Sequence, residues 1–152
     1  MARRVPGAAG GSGVLSRVEG KAPAAICRKV AMAENGGTIL IWGDGTAIRN
    51  YTYVDDLVEG IYPLMQFDLE GAVNIGGEEY VTVAELVQTV IDVSGKDIRT
   101  EYIEGPVRVQ ARNFSKERIK SLGREAKVPL KAEIARTYRW IEEQVRVSKV
   151  RV

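Results

Sequence analysis

The sequence predicts an α/β domain: a small mixed sheet with several helices and no complete doubly wound sheet. Three observations lead there. Apolar residues recur with a period of about 3.6 in several separate segments, each bounded by glycine or a capping residue. Runs with strand character are few and short. The two kinds of segment alternate along most of the chain, and no internal repeat is visible.

Residues 1–20 are Gly-rich and aperiodic. They include Gly7-Ala-Ala-Gly10-Gly-Ser-Gly13, which has the G-x-x-G-x-x-G spacing of a dinucleotide fingerprint. That fingerprint needs a strand before it, a helix after it and an acidic residue about 20 positions on. Pro6 and two arginines precede it here, and Gly20 and Pro23 follow closely, so the segment reads as a flexible leader. A helix is expected over 22–34, with Pro23 in the first turn, where a missing N–H costs nothing. Its stripe is Ala22, Ile26, Val30 and Ala33, and Gly36-Gly37 end it. Cys27 lies on this helix and reads as a small core or boundary residue.

Thr38-Ile-Leu-Ile-Trp42 reads as a strand feeding a Gly43-Asp-Gly45 turn. A polar loop carrying Arg49 follows, then the β-prone run Tyr51-Thr-Tyr-Val54. Asp55 is expected to N-cap a helix running to about residue 67, with Asp56 beside it at the helix N-terminus. That helix has the stripe Leu57, Val58, Ile61, Tyr62 and Met65, and Pro63 is expected to kink it. Residues 72–75, Ala-Val-Asn-Ile, read as a short buried strand. Thr82 and Glu85 form a capping box for a third helix, with Val83, Leu86, Val87, Val90 and Ile91 facing inward and Gly95 as its stop. A strand is expected over 98–103, then a loop over 104–113. Ser115 is expected to cap a short helix over 116–122, and a last helix covers about 131–147 through Ile134, Tyr138, Ile141 and Val145. Residues 148–152 read as a tail.

Composition excludes several function classes. Lys plus Arg is 22 against 20 Asp plus Glu, a net charge of +2, too even for the basic patch that nucleic acid requires. There is no histidine, so neither a His-ligated metal nor a His-based catalytic unit is available. A single cysteine rules out an internal disulfide. No apolar run reaches membrane-spanning length, and the basic start lacks an apolar h-region, so a cytoplasmic chain is expected.

An ordered set of motifs narrows the reading. It comprises Trp42-Gly-Asp-Gly-Thr-Ala-Ile-Arg49-Asn-Tyr-Thr-Tyr-Val-Asp-Asp56, Val73-Asn-Ile-Gly76, Val83-Ala-Glu-Leu86, Arg112-Asn113 and Thr137-Tyr-Arg-Trp140. Together they resemble the C-terminal, substrate-binding part of the NAD-dependent epimerase/dehydratase family, the extended short-chain dehydrogenases that act on nucleotide sugars. Lys21-Ala-Pro-Ala-Ala-Ile-Cys-Arg-Lys29, and Gly105-Pro106 followed by Ala111-Arg-Asn113, are similar to the branch that epimerises GDP-mannose at C3 and C5. The resemblance runs over about residues 20–147. It implies domains at 1–20 (leader), 21–147 (nucleotide-sugar binding) and 148–152 (tail).

The resemblance also implies site residues. Arg49 and Arg112 would meet the substrate diphosphate, since an arginine fork matches phosphate oxygens. Lys29 corresponds to a further substrate contact, or is a solvated helix lysine. Asn113 and Arg108 are weaker candidates. Lys21 corresponds to a catalytic acid/base, or is an exposed lysine at a helix start; Gly20 stands where the family has an acidic residue. The family's catalytic cysteine belongs to its N-terminal half, so Cys27 does not match it.

Complete family enzymes use NAD, whereas this chain has no Tyr-x-x-x-Lys pair and no fingerprint in the βαβ context. No cofactor, metal, nucleic acid or membrane partner is therefore expected for this chain. The expected partners are a nucleotide sugar, a GDP-hexose by the motif, and either a separate Rossmann half or further copies of the chain. The reading is a substrate-binding part of a nucleotide-sugar epimerase/dehydratase, inactive alone. The alternative is a non-catalytic binding module that keeps the fold and serves a different partner.

Overall fold

A computed structural model describes residues 22–67, 70–105, 111 and 114–150. The elements are α1 (Ala22–Met32), β1 (Thr38–Trp42), β2 (Ile48–Asn50), α2 (Val54–Leu64), β3 (Tyr80–Thr82), α3 (Val83–Ser94), β4 (Arg99–Ile103), α4 (Glu117–Lys120) and α5 (Leu130–Val150). The α/β class holds. The described strands form two separate pairs: β1 with β4, parallel, and β2 with β3, antiparallel.

The β1–β4 pair aligns Thr38 with Arg99 and Trp42 with Ile103. Side chains alternate along β1, as the two-residue period of a strand requires. Ile39 and Ile41 are buried, while Leu40 and Trp42 are exposed. The inner face packs on α1, α3 and α5, which also pack on one another. The core is Ile26, Cys27 and Val30 of α1, Leu86, Val87, Val90 and Ile91 of α3, and Leu130, Ile134, Tyr138 and Ile141 of α5, with Ile98 beside them. The stripes read from the sequence for α3 and α5 face this core; of the α1 stripe, Ile26 and Val30 are buried and Ala33 partly so, while Ala22 is exposed. The capping box of α3 is complete: Thr82 Oγ1 accepts from the Glu85 N–H, and Glu85 accepts from the Thr82 N–H at 2.7 Å. Gly95 ends the helix in the left-handed conformation that glycine adopts freely.

Five local expectations need correction. Arg49 lies within a strand, not a loop, because residues 48–50 find a partner in β3, a strand too short to show a pattern. Residues 72–75 form no ladder with any described residue. Asp55 is not the N-cap of α2: Tyr53 holds that place, and both aspartates fall in the first turn. Helix α2 ends at Leu64, one residue after Pro63 and short of the expected 67, and the Pro63 carbonyl accepts from the N–H groups of Gln66 and Phe67. The last helix runs to Val150, so residues 148–150 of the expected tail are helical.

The largest departure is the orientation of α2. Its apolar stripe faces away from the core: Val58 and Tyr62 are each 59% exposed and Met65 80%. The residues it buries are Asp56, Gly60 and Pro63.

Candidate functional site

The site region is the run from β2 into α2, residues 48–56. Arg49 is half-buried in β2 opposite Val81, and its Nη1 donates to the Ile48 carbonyl at 2.7 Å. Tyr51 follows on the same side of the extended chain, packed against the core. Burial raises its phenol above the ordinary tyrosine range, and the nearby Arg49 charge opposes that shift. The Tyr51 hydroxyl is buried with no hydrogen-bond partner among the described residues.

The alternate residues are pegged. Asn50 Nδ2 donates to the carbonyls of Gly77 and Glu79, each at 2.7 Å, and the Gly77 N–H donates to Thr52 Oγ1 at 3.0 Å. The Tyr53 N–H donates to Glu133 Oε1 at 3.0 Å. Burial raises the Glu133 carboxyl above the ordinary glutamate range, with Asp56 and Glu79 adding to the effect. Asp56 is itself buried, and its Oδ2 accepts from the N–H groups of Lys127 and Val128 at 3.1 and 3.0 Å. Asp56 thus straps the loop ahead of α5 rather than serving only as a helix N-terminus. Sequence reasoning missed this role, and it missed Asn50 and Thr52. Their spacing of two within a β-prone run was the available local signal.

Lys29 serves the other sheet. Its Nζ donates to the Leu40 carbonyl of β1 at 2.5 Å, and burial lowers its ammonium below the usual lysine range. A lysine on an edge carbonyl blunts an open strand edge. Lys21, Arg108, Arg112 and Asn113 lie outside the described residues. Cys27 is fully buried, and burial pushes its thiol up to about 11. A thiol held in that form is a poor nucleophile. The folded chain should therefore leave Cys27 unlabelled by a thiol reagent at pH 8 over minutes, with one equivalent reacting in denaturant. Full labelling of the folded chain would remove Cys27 from the core.

A cavity of about 130 Å³ lies beside Tyr51 and Glu133, closed by Val128 and Pro129. Small-molecule pockets run from roughly 300 Å³ upward. Among the described residues, no acidic or cysteine groups cluster as metal ligands. No helix of the described residues is long and apolar enough to cross a membrane.

Comparison with known proteins places the chain. Residues 7–76 match the profile of the NAD dependent epimerase/dehydratase family. That match begins inside the segment read as a leader. GDP-mannose 3,5-epimerase of Arabidopsis thaliana is 36% identical over 132 residues, which is 86% of this chain and 34% of the relative. GDP-mannose 3,5-epimerase 1 of Oryza sativa subsp. indica is 35% identical over 85% of this chain and 34% of the relative. The UDP-glucose 4-epimerase of Thermotoga maritima, solved with UDP-glucose, superposes with a TM-score of 0.72 at 26% identity, over 85% of this chain and 41% of that one. The chain thus spans about a third of the length of the curated relatives it matches. Profile, relatives and fold agree: this chain belongs to the NAD-dependent epimerase/dehydratase family.

Proposed function

We propose that the chain is the nucleotide-sugar-binding part of a GDP-mannose 3,5-epimerase-like enzyme, acting in the cytoplasm and inactive in hydride chemistry by itself. The observation that carries this reading is Arg49, held in a pegged strand inside the ordered motif that the family shares. Arg49 and Arg112 would be the two cations on the diphosphate, with Asn113 and Lys29 as further contacts and Lys21 as the acid/base. Charge-assisted contacts contribute roughly 1.5–3 kcal/mol each, so two of them would dominate the affinity.

GDP and GDP-mannose should bind with Kd on the order of millimolar. Arg112→Ala should weaken binding about tenfold or more, the effect of losing ~1.4 kcal/mol. Arg146→Ala should leave it unchanged, because Arg146 pairs with Glu143 at the exposed end of α5. NMR titration reads both. Absence of binding, or equal behaviour of the two variants, refutes the reading and favours a binding module with another partner. Turnover of GDP-mannose with added NAD by this chain alone would also refute it.

The partner would be a Rossmann half or further copies of the chain, and the outward stripe of α2 supports that. At concentrations of hundreds of micromolar, light scattering should show association, and Ile61→Asp should return the chain to monomer without loss of helix content. A strictly monomeric parent chain would count against it.

A further inference from the structure

The β2–β3 ladder ends at Asn50, paired with Tyr80. Beyond it no strand pairing among the described residues fixes the chain that follows Arg49. Residues 50 and 52 lie two apart on one face of an extended segment, and both close on Gly77. One side chain donates to its carbonyl and the other accepts from its N–H, so together they stand in for two ladder bonds. Gly77 has to be glycine for this approach, since a Cβ there would sit 2.8 Å from the Tyr51 carbonyl oxygen. Lys116 completes the arrangement from the start of α4. Its Nζ donates to the same Gly77 carbonyl at 2.5 Å and lies 5.0 Å over the Tyr80 ring, with its side chain 8% exposed. Its carboxylate partner among the described residues, Glu78, is 3.5 Å away and half-exposed. An ammonium buried this deeply is costly unless its hydrogen bonds are made.

We propose that Asn50, Thr52 and Lys116 are positioning residues that clasp Gly77 and thereby set where β2 presents Arg49. The inference rests on the diphosphate reading above. The clasp does not touch the ligand; it acts through the guanidinium one residue away.

Two measurements on the intact chain test it. In GDP titrations followed by NMR, Asn50→Ala, Thr52→Val and Lys116→Met should each weaken binding about tenfold. Thr52→Ser, which keeps the acceptor oxygen, should return it to within about twofold. In an Arg49→Ala background, Asn50→Ala should add nothing further, since two changes acting through one group are not additive. A merely structural contact would lower the urea midpoint yet add its full effect in that background. Independently of ligand, the Arg49 Nε–Hε resonance should shift in both Asn50→Ala and Thr52→Val. The clasp is overturned if Arg49→Ala weakens GDP binding while those two variants change neither affinity nor resonance, or if the double variant is additive. If the parent chain binds no GDP, the functional reading fails, and the Arg49 resonance alone decides whether the clasp orients that side chain.

Discussion

Leu86→Ala is expected to lower the unfolding free energy by about 3–4 kcal/mol. Leu86 is fully buried at the centre of α3, among residues of α1 and α5. Truncation removes the transfer free energy of its side chain and leaves a cavity that three packed helices and a strand pair cannot close. Domains of this size are stable by only about 5–15 kcal/mol, so the loss is a large share of the total. With a urea m-value of roughly 2 kcal/mol per molar, the midpoint should fall by roughly 1.5–2 M. Val58→Ala is the contrast: it is of similar chemistry but 59% exposed on α2, and its midpoint should move little. If the two variants shift alike, the core has been placed on the wrong helix face.

Asp56→Ala carries the second large effect. Asp56 Oδ2 takes two backbone N–H groups, those of Lys127 and Val128, in a buried place. Removing the carboxylate takes the partner from two part-buried donors, and a hydrogen bond to a charged group is worth about 1.5–3 kcal/mol. A loss of about 2–4 kcal/mol is expected, together with faster amide exchange at Lys127 and Val128. Asp55→Ala should cost a few tenths of a kcal/mol through the helix dipole alone. Equal costs for the two aspartates would return both to the role of a plain helix N-terminus.

What the sequence made legible was local. The capping box of α3, its glycine stop and the stripes of α1, α3 and α5 are written within one or two helical turns. The orientation of α2 is not, because its stripe is as regular as theirs and periodicity cannot say which partner it meets. Residues 72–75 carry strand-like composition, but a strand exists only with a neighbour, and none of the described residues provides one. The placement of Arg49 in β2 depends on Tyr80–Thr82, about thirty residues further on, which no local rule connects to it. The anchoring of the site region was hidden for the same reason. Asn50 and Thr52 read as ordinary polar residues until Gly77 is seen between them. Asp56 reads as a helix-terminus acid until the loop at 127–128 folds over it.

The packing of α1 against α5 has a consequence for synthesis. The first core side chains, Ile26, Cys27 and Val30, are covered by residues that end at Ile141, and β1 waits for β4 across the register Thr38 to Arg99. At roughly 5–20 residues per second, the ribosome needs roughly 5–20 s to deliver the covering helix after the helix it covers. During that interval no native core can close, and the chain is rich in contacts between sequence-distant residues, which slows folding once synthesis is complete. The nascent chain therefore emerges with the apolar face of α1 wet until α5 follows it.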